Sequence, residues 1–196
     1  MPRVFELLLI GIAFLLCALP MIVVALVVRW QLGSQTRAGQ GGRPFRVWKF
    51  RSMTDARDAR GELLPDDSRQ TAVTRLLRRT RLDETPQLLN ILRRDMALVG
   101  PRPLRPDTIA KAGARGERRS RVRPGMTGWA QISGNTKLSE DEKFALDLWY
   151  VDHRSFLLDL RILLETVLVI LQGERRNAAR LKQAMAISRW PKAAEP

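Results

Sequence analysis

From Leu7 to Val28 the chain carries no charged residue. The run is about 22 residues long, and a helix needs roughly 20 apolar residues to cross the hydrocarbon of a bilayer, so this segment is expected to enter lipid. A secretory signal peptide is the competing explanation. It fits less well, because the run exceeds an ordinary signal core and no small-x-small cleavage pattern follows before Arg29. Pro20 interrupts the run. Proline lacks a backbone N–H and its ring meets the carbonyl of Leu16, so a helix through the segment kinks there. Two topologies follow. A kinked spanning helix sends Arg3 and the amino terminus across, whereas a re-entrant hairpin keeps both cationic ends on the side that retains positive charge. The residues leave these two even.

The remainder is long enough, and at 45% hydrophobic residues apolar enough, for one globular body with a real core. A formal charge of +14 points to anionic partners: nucleic acid, acidic lipid headgroups or phosphorylated substrates. Cys17 and His153 are each the sole residue of their kind, which excludes a disulfide framework, a cysteine cage and a two-histidine metal site. Carboxylates are left to do any acid, base or nucleophilic work. A nucleic-acid-binding protein would suit the charge, but gives no role to the apolar run or to an isolated acidic pair.

Local pattern divides the body further. Arg29 to Arg43, rich in glycine, glutamine and basic residues, reads as a loop, and the alternation in Phe45 to Met53 predicts a short strand. Asp55 to Ser68 is polar and turn-rich, and helix resumes over Thr71 to Arg79. Asp83 or Thr85 is expected to cap another helix, with Pro86 in its first turn and Leu88, Leu89, Ile91 and Leu92 as its apolar stripe, ended by Gly100, Pro101 and Pro103. The basic stretch Arg115 to Arg123, leading into Pro124, Gly125 and Gly128, is expected to be an ordered loop rather than a helix. Glu140 to Tyr150 and Phe156 to Leu171 have helical periodicity, the second as either a core or an interfacial helix. Beyond Gln172 the chain is polar and basic, a loosely held helix or disordered.

Asp83 and Glu84 stand just before the Pro86 helix, where unpaired backbone donors and the positive dipole end favour negative charge. By itself such a pair is a capping feature. Arg75, Arg78, Arg79 and Arg81 precede it and Arg93, Arg94 and Arg102 follow, so a phosphate and two carboxylates could share a site with a divalent cation; a surface salt-bridge cluster is the alternative. Arg102 lies between Pro101 and Pro103, which restrict the backbone and suit a fixed phosphate clamp as well as a turn cation. Lys49 and Arg51 interleave with Trp48 and Phe50, a pattern open to phosphate, nucleic acid or a membrane interface.

Taken together, these blocks resemble the bacterial sugar transferase family, the monotopic phosphoglycosyl transferases that begin lipid-linked glycans. The resemblance runs to about Leu171. It rests on the apolar segment with its central proline, Gln35-Thr36-Arg37, Lys49-Phe50-Arg51-Ser52-Met53, Leu82-Asp83-Glu84-Thr85-Pro86-Gln87-Leu88, Val99-Gly100-Pro101-Arg102-Pro103, Arg123-Pro124-Gly125-Met126-Thr127-Gly128-Trp129-Ala130-Gln131 and Asp147-Leu148-Trp149-Tyr150-Val151-Asp152. It implies a mainly α fold with a small β element, an N-terminal re-entrant membrane helix hairpin and amphipathic interfacial helices. The implied divisions are a membrane segment (1–33), a catalytic body on the cytoplasmic face of the bacterial inner membrane (34–171) and a basic tail (172–196).

The resemblance also implies chemistry. Asp83 matches the nucleophile that attacks the β-phosphate of a UDP-sugar, releasing UMP and forming a phosphosugar intermediate that polyprenol phosphate then attacks. Glu84 matches the partner carboxylate, and both acids would hold Mg2+. Lys49 and Arg102 match phosphate-binding positions, and Arg78 and Asp159 match further charged substrate-binding positions. The implied partners are a UDP-sugar, undecaprenyl or another polyprenol phosphate, and anionic lipids, with no nucleic acid. Departures stand beside this. The family usually has Gly-Arg-Asn after Trp-Ala-Gln, but Ser133-Gly134-Asn135-Thr136 lacks the arginine, with Lys137 a possible substitute; Arg93-Arg94-Asp95-Met96 replaces the usual Gly-Asp-Met; and the stretch from Arg29 to Gln35 is short. An inactive membrane-attached scaffold of the same fold is the alternative that the missing arginine suggests.

Overall fold

The computed structural model describes residues 1–12, 22, 32–50 and 55–187, except the side chains of residues 66, 67, 72, 73, 78 and 79. Most of the apolar run, with Cys17 and Pro20, therefore lies outside the described residues, as do Arg51 and the end of the basic tail. Residues 3–12 are helical (α1). No helix among the described residues is long and apolar enough to cross a membrane.

Among the described residues the fold is mainly helical, with two small two-stranded sheets. In the first, β1 (Leu32–Ala38) runs antiparallel to β2 (Pro44–Phe50), with Gln35 opposite Val47 and Leu32 opposite Phe50. The chain reverses between them through Gly41 and Gly42, at φ 65° and 74°, a left-handed region that costs glycine little. The predicted loop over Arg29 to Arg43 is thus corrected over Leu32–Ala38, which is strand, and holds for the turn that follows. β1 is mostly exposed and polar, so it lacks the apolar alternation that marks a strand; its register comes from β2.

Then follow α2 (Ala72–Thr80), a 3-10 turn (Leu82–Glu84) and α3 (Gln87–Leu92). Neither Asp83 nor Thr85 caps α3. Pro86 takes the cap position in helical conformation with no side-chain cap, while the Thr85 hydroxyl donates back to the Leu82 carbonyl at 2.8 Å. The second sheet pairs β3 (Ala97–Val99) in parallel with β4 (Gly125–Thr127), and between them come α4 (Pro106–Lys111) and α5 (Gly113–Arg119). The expected loop at Arg115 to Arg123 is therefore helical as far as Arg119. α5 has almost no large apolar residue to betray it; it packs through Gly116, where an added Cβ would lie 2.1 Å from the Ile109 carbonyl oxygen.

α6 (Trp129–Ile132), α7 (Glu140–His153), α8 (Phe156–Gln172) and α9 (Ala178–Ile187) complete the described residues. α7 begins with a full capping box between Ser139 and Glu142, satisfying two orphan donors reciprocally. Ile91, Met96, Leu146 and Ile162 are fully buried at the centre, and Trp129 stacks on Trp149 with ring centroids 4.9 Å apart. The polar tail contributes to this core: Leu181 and Ala184 of α9 are buried against α7, so this part is a packed helix. His153 stacks on Trp149 and bonds to its carbonyl, a structural role.

Candidate active site

The centre of the site is the short turn between α2 and α3. Arg81 leaves α2 in the left-handed region (φ 58°), which costs a side-chain-bearing residue about 1–3 kcal/mol and persists only where neighbours hold it. The reversal sends Leu82 against Phe50 and Leu77 and turns Asp83 inward, where it is 8% exposed. α3 is fastened on both sides. Buried Asn90 accepts from the Trp48 N–H (3.3 Å) and donates to the Arg46 carbonyl (2.8 Å), tying the helix to β2. Arg3 of α1 donates to the Ile91 and Leu92 carbonyls at the other end, supplying orphan acceptors with a cation.

Arg102 arrives from the loop after β3. That loop is built by close backbone approach: a Cβ on Gly125 would lie 2.0 Å from the Gly100 nitrogen, and one on Gly128 2.1 Å from the Gly100 oxygen. Only glycine fits there, which is the physical content of the two glycine-proline motifs. The Arg102 guanidinium then meets Glu84 at 2.8 Å, with the arginine side chain 45% exposed and so open to a ligand. Behind it, Arg119 donates to the Arg102 carbonyl (2.5 Å) and to buried Asp147 (2.8 Å). Burial raises the Asp147 pKa, opposed by the Arg119 charge and hydrogen bond.

Beside Arg102 opens a cavity of about 260 Å³, whose walls include Arg102, Gln131, Asn135, Thr136, Lys143 and Phe144. Arg37 adds to the positive field. Its strand ends where the Ala38 N–H donates to the Leu104 carbonyl (2.8 Å), and burial with the nearby charges of Arg102 and Arg105 lowers its pKa. Three guanidiniums are crowded here, an arrangement that an anionic ligand relieves.

Of the residues expected from sequence, Glu84 and Arg102 meet, and Asp83 is the neighbour of Glu84 in the same turn. Lys49, half-buried, lies on β2, the strand that packs against the Asp83 turn. Arg78 is in α2, and its side chain lies outside the described set. Asp159 is placed differently: it is buried, accepting from the Met1 ammonium (2.9 Å) and the Tyr150 hydroxyl (2.7 Å), and it lines a separate cavity of about 210 Å³. Lys137 is exposed at the end of a short 3-10 turn, and the lysine that lines the cavity is Lys143.

Among the described residues no three potential ligands cluster as a dedicated metal cage. Mg2+ characteristically takes one or two carboxylates and completes its shell with substrate phosphates and water, so the adjacent Asp83 and Glu84 fit a cation shared with a phosphorylated substrate.

The bacterial sugar transferase family model matches residues 1–173. The chain belongs to the bacterial sugar transferase family. It is 49% identical over 168 residues to the uncharacterized sugar transferase EpsL of Bacillus subtilis, covering 82% of this chain and 83% of EpsL. It is 36% identical over 155 residues to the undecaprenyl-phosphate galactose phosphotransferase of Salmonella typhimurium, 70% of this chain. It is 38% identical over 150 residues to the UDP-glucose:undecaprenyl-phosphate glucose-1-phosphate transferase of Escherichia coli, 68% of this chain. The chain spans about a third of the length of these last two, at 33% and 31%.

In this sugar transferase, sequence reasoning passed over three contributors to the site. Arg37 stood in the quoted Gln35-Thr36-Arg37 block but was not singled out. The Arg119–Asp147 pair joins α5 to α7 across 28 residues of sequence, a separation no local pattern reports. Glu174 reaches back to Asn135, Thr136 and Arg81 from a segment read as tail.

Proposed function

We propose that this chain transfers a sugar phosphate from a UDP-sugar to polyprenol phosphate such as undecaprenyl phosphate, releasing UMP, through a covalent phosphosugar intermediate on Asp83. The observation that carries this reading is the buried Asp83 beside a Glu84 carboxylate held at 2.8 Å by a half-exposed Arg102. The Salmonella relative is an undecaprenyl-phosphate galactose phosphotransferase and the Escherichia relative a UDP-glucose:undecaprenyl-phosphate glucose-1-phosphate transferase, which supports undecaprenyl phosphate as acceptor and, from the second, a UDP-sugar as donor.

In the first step an Asp83 oxygen attacks the phosphorus that carries the sugar. The bond from that phosphorus to the bridging oxygen breaks, and UMP leaves with the electron pair. In the second step an oxygen of polyprenol phosphate attacks the same phosphorus and the Asp83–phosphorus bond breaks, regenerating the carboxylate. A carboxylate approaching a diphosphate is repelled, so cationic donors must neutralise the phosphoryl oxygens. Arg102 does so in place, pre-oriented by its prolines and by Arg119, and Lys49 from the adjoining strand serves the donor phosphates with it. Arg78 is assigned to the same donor site. Asp159 is assigned to substrate binding at the separate cavity of about 210 Å³ that it lines. Asp83 and Glu84 would hold Mg2+, whose charge would further neutralise the diphosphate.

Membrane attachment belongs to the proposal. Val4, Leu8 and Ile12 form a stripe on α1 that is 53–72% exposed, and Leu157, Leu164, Leu168 and Leu171 form one on α8 that is 50–74% exposed. Phe5 and Phe156 join the two helices edge to face. Two apolar stripes on a strongly basic body suit a surface of anionic lipids, with residues 1–33 as a re-entrant hairpin and the body on the cytoplasmic face of the bacterial inner membrane. Detergent-purified protein given a panel of UDP-sugars and undecaprenyl phosphate should release UMP with at least one of them. No UMP from any of them would overturn the reading.

A further inference from the structure

Residues 174–187 lie beyond the family match, which ends at residue 173. They are nevertheless tied into the site. α8 stops at Gly173 (φ 85°), and Glu174 then accepts from the Asn135 side-chain amide (2.5 Å), the Thr136 hydroxyl (2.5 Å) and the Thr136 N–H (3.1 Å), and pairs with Arg81 at 3.5 Å. The carboxylate is itself held from behind. The Asn177 backbone N–H donates to the Ser133 carbonyl (2.9 Å), one terminal nitrogen of Arg180 donates to both oxygens of Glu165 at 2.7 Å with the guanidinium 4.1 Å over the Trp129 ring, and Leu181 and Ala184 anchor α9 in the core.

The two segments that Glu174 joins matter for transfer. Arg81 begins the turn that carries Asp83, and Asn135 and Thr136 line the cavity beside Arg102. Among the described residues only three non-glycine residues have positive φ, and two of them, Arg81 (58°) and Asn135 (44°), are partners of this one carboxylate. Strained backbone persists where its surroundings over-determine it, and here the common determinant is Glu174. Burial pushes the Glu174 pKa up, but the bonds from Thr136 and Asn135 and the Arg81 charge outweigh it, so the carboxylate is held below its ordinary range and stays ionised.

We infer that Glu174 is a positioning residue for the transfer: one carboxylate braces the Asp83 turn against the cavity wall and so sets the distance between nucleophile and bound donor. This rests on the proposed function. The distinguishing experiment uses the full chain in detergent with a UDP-sugar but no lipid acceptor, measuring the rate of the first UMP release, the KM for donor and the melting temperature. Glu174→Gln, which keeps the size but loses the charge on Arg81, should slow the first release on the order of tenfold, about one decade for 1.4 kcal/mol. KM and melting temperature should stay close to the parent. Arg81→Gln should do the same, Arg81→Lys should recover part of the rate, and the double variant should be no slower than the worse single one, because coupled residues are not additive. A parental rate in Glu174→Gln, or losses that multiply in the double variant, would overturn the inference while leaving transfer intact. An inactive parent would instead sink the functional reading. The brace is then judged by amide exchange: Glu174→Gln should speed exchange in both 82–85 and 135–137, and unchanged exchange in either segment overturns it.

Discussion

Replacing Asp147 by alanine should cost the fold about 3–5 kcal/mol, because it strands a buried guanidinium. Asp147 and Arg119 are 5% and 4% exposed at their side chains and meet at 2.7 Å, so each depends mainly on the other for its partner charge. Against a total stability of roughly 5–15 kcal/mol this is a large fraction, and at about 2–4 °C per kcal/mol it corresponds to a fall in Tm of about 6–20 °C. Thermal melting in detergent measures it. A second variant separates stability from function: Arg119→Met with Asp147→Leu removes both charges together and should recover most of the Tm, since apolar pairs often replace buried ion pairs without loss. Turnover should stay low in that variant, because the Arg102 carbonyl has lost the donor that fixes its loop. A Tm for Asp147→Ala within about 1 °C of the parent would refute the argument that breaking this pair strands a buried charge, and full activity in the double variant would refute the argument that Arg119 fixes the Arg102 loop.

Arg102→Lys should lower UMP release on the order of tenfold or more, since lysine cannot reproduce a fork-shaped contact with a phosphate; parental turnover would reduce Arg102 to a turn cation. Glu165 and Glu174 both have folded pKa values below their ordinary range, so their contribution is fully present above about pH 4.3 and is lost as pH falls through the folded values. Protection factors across 174–187, corrected for the intrinsic slowing of exchange in acid, should therefore fall before the core opens; protection that is flat down to the global transition contradicts this. Single cysteines at Pro2 and Ser34, in a background with Cys17 replaced, should both resist an impermeant thiol reagent in intact cells and react after lysis. Labelling of position 2 from outside would show a spanning segment.

The parts of this molecule that were readable from sequence are those whose pattern is local. α7 and α8 declare themselves by apolar period, β2 by alternation, and the Asp83-Glu84 pair by its place before a proline-started helix. What escaped was fixed by distant partners. β1 is polar and exists because β2 pairs with it; β3 and β4 are three residues each, too short for a period, and are set by glycines that let backbones touch. α5 shows only charge, since what it buries is a glycine and the Arg119 guanidinium. The same reason hid Asp147 and Glu174 at the site: each acts through a contact made across the fold. Asp159 was legible as a charged residue on an apolar helix but not as the buried partner of Tyr150.

The central claim is that Asp83 is the nucleophile, and intact-mass analysis of purified protein tests it most directly. Incubated with a turned-over UDP-sugar and no lipid acceptor, the protein should gain the mass of one sugar phosphate on the peptide containing Asp83, with a matching burst of UMP, and should lose the added mass on addition of undecaprenyl phosphate while UMP release continues beyond one equivalent. Asp83→Asn should give neither adduct nor burst while extracting from membranes like the parent, because an amide cannot take the carboxylate's place at phosphorus. Near-normal turnover in Asp83→Asn, or an adduct mapped to another residue, would contradict the account.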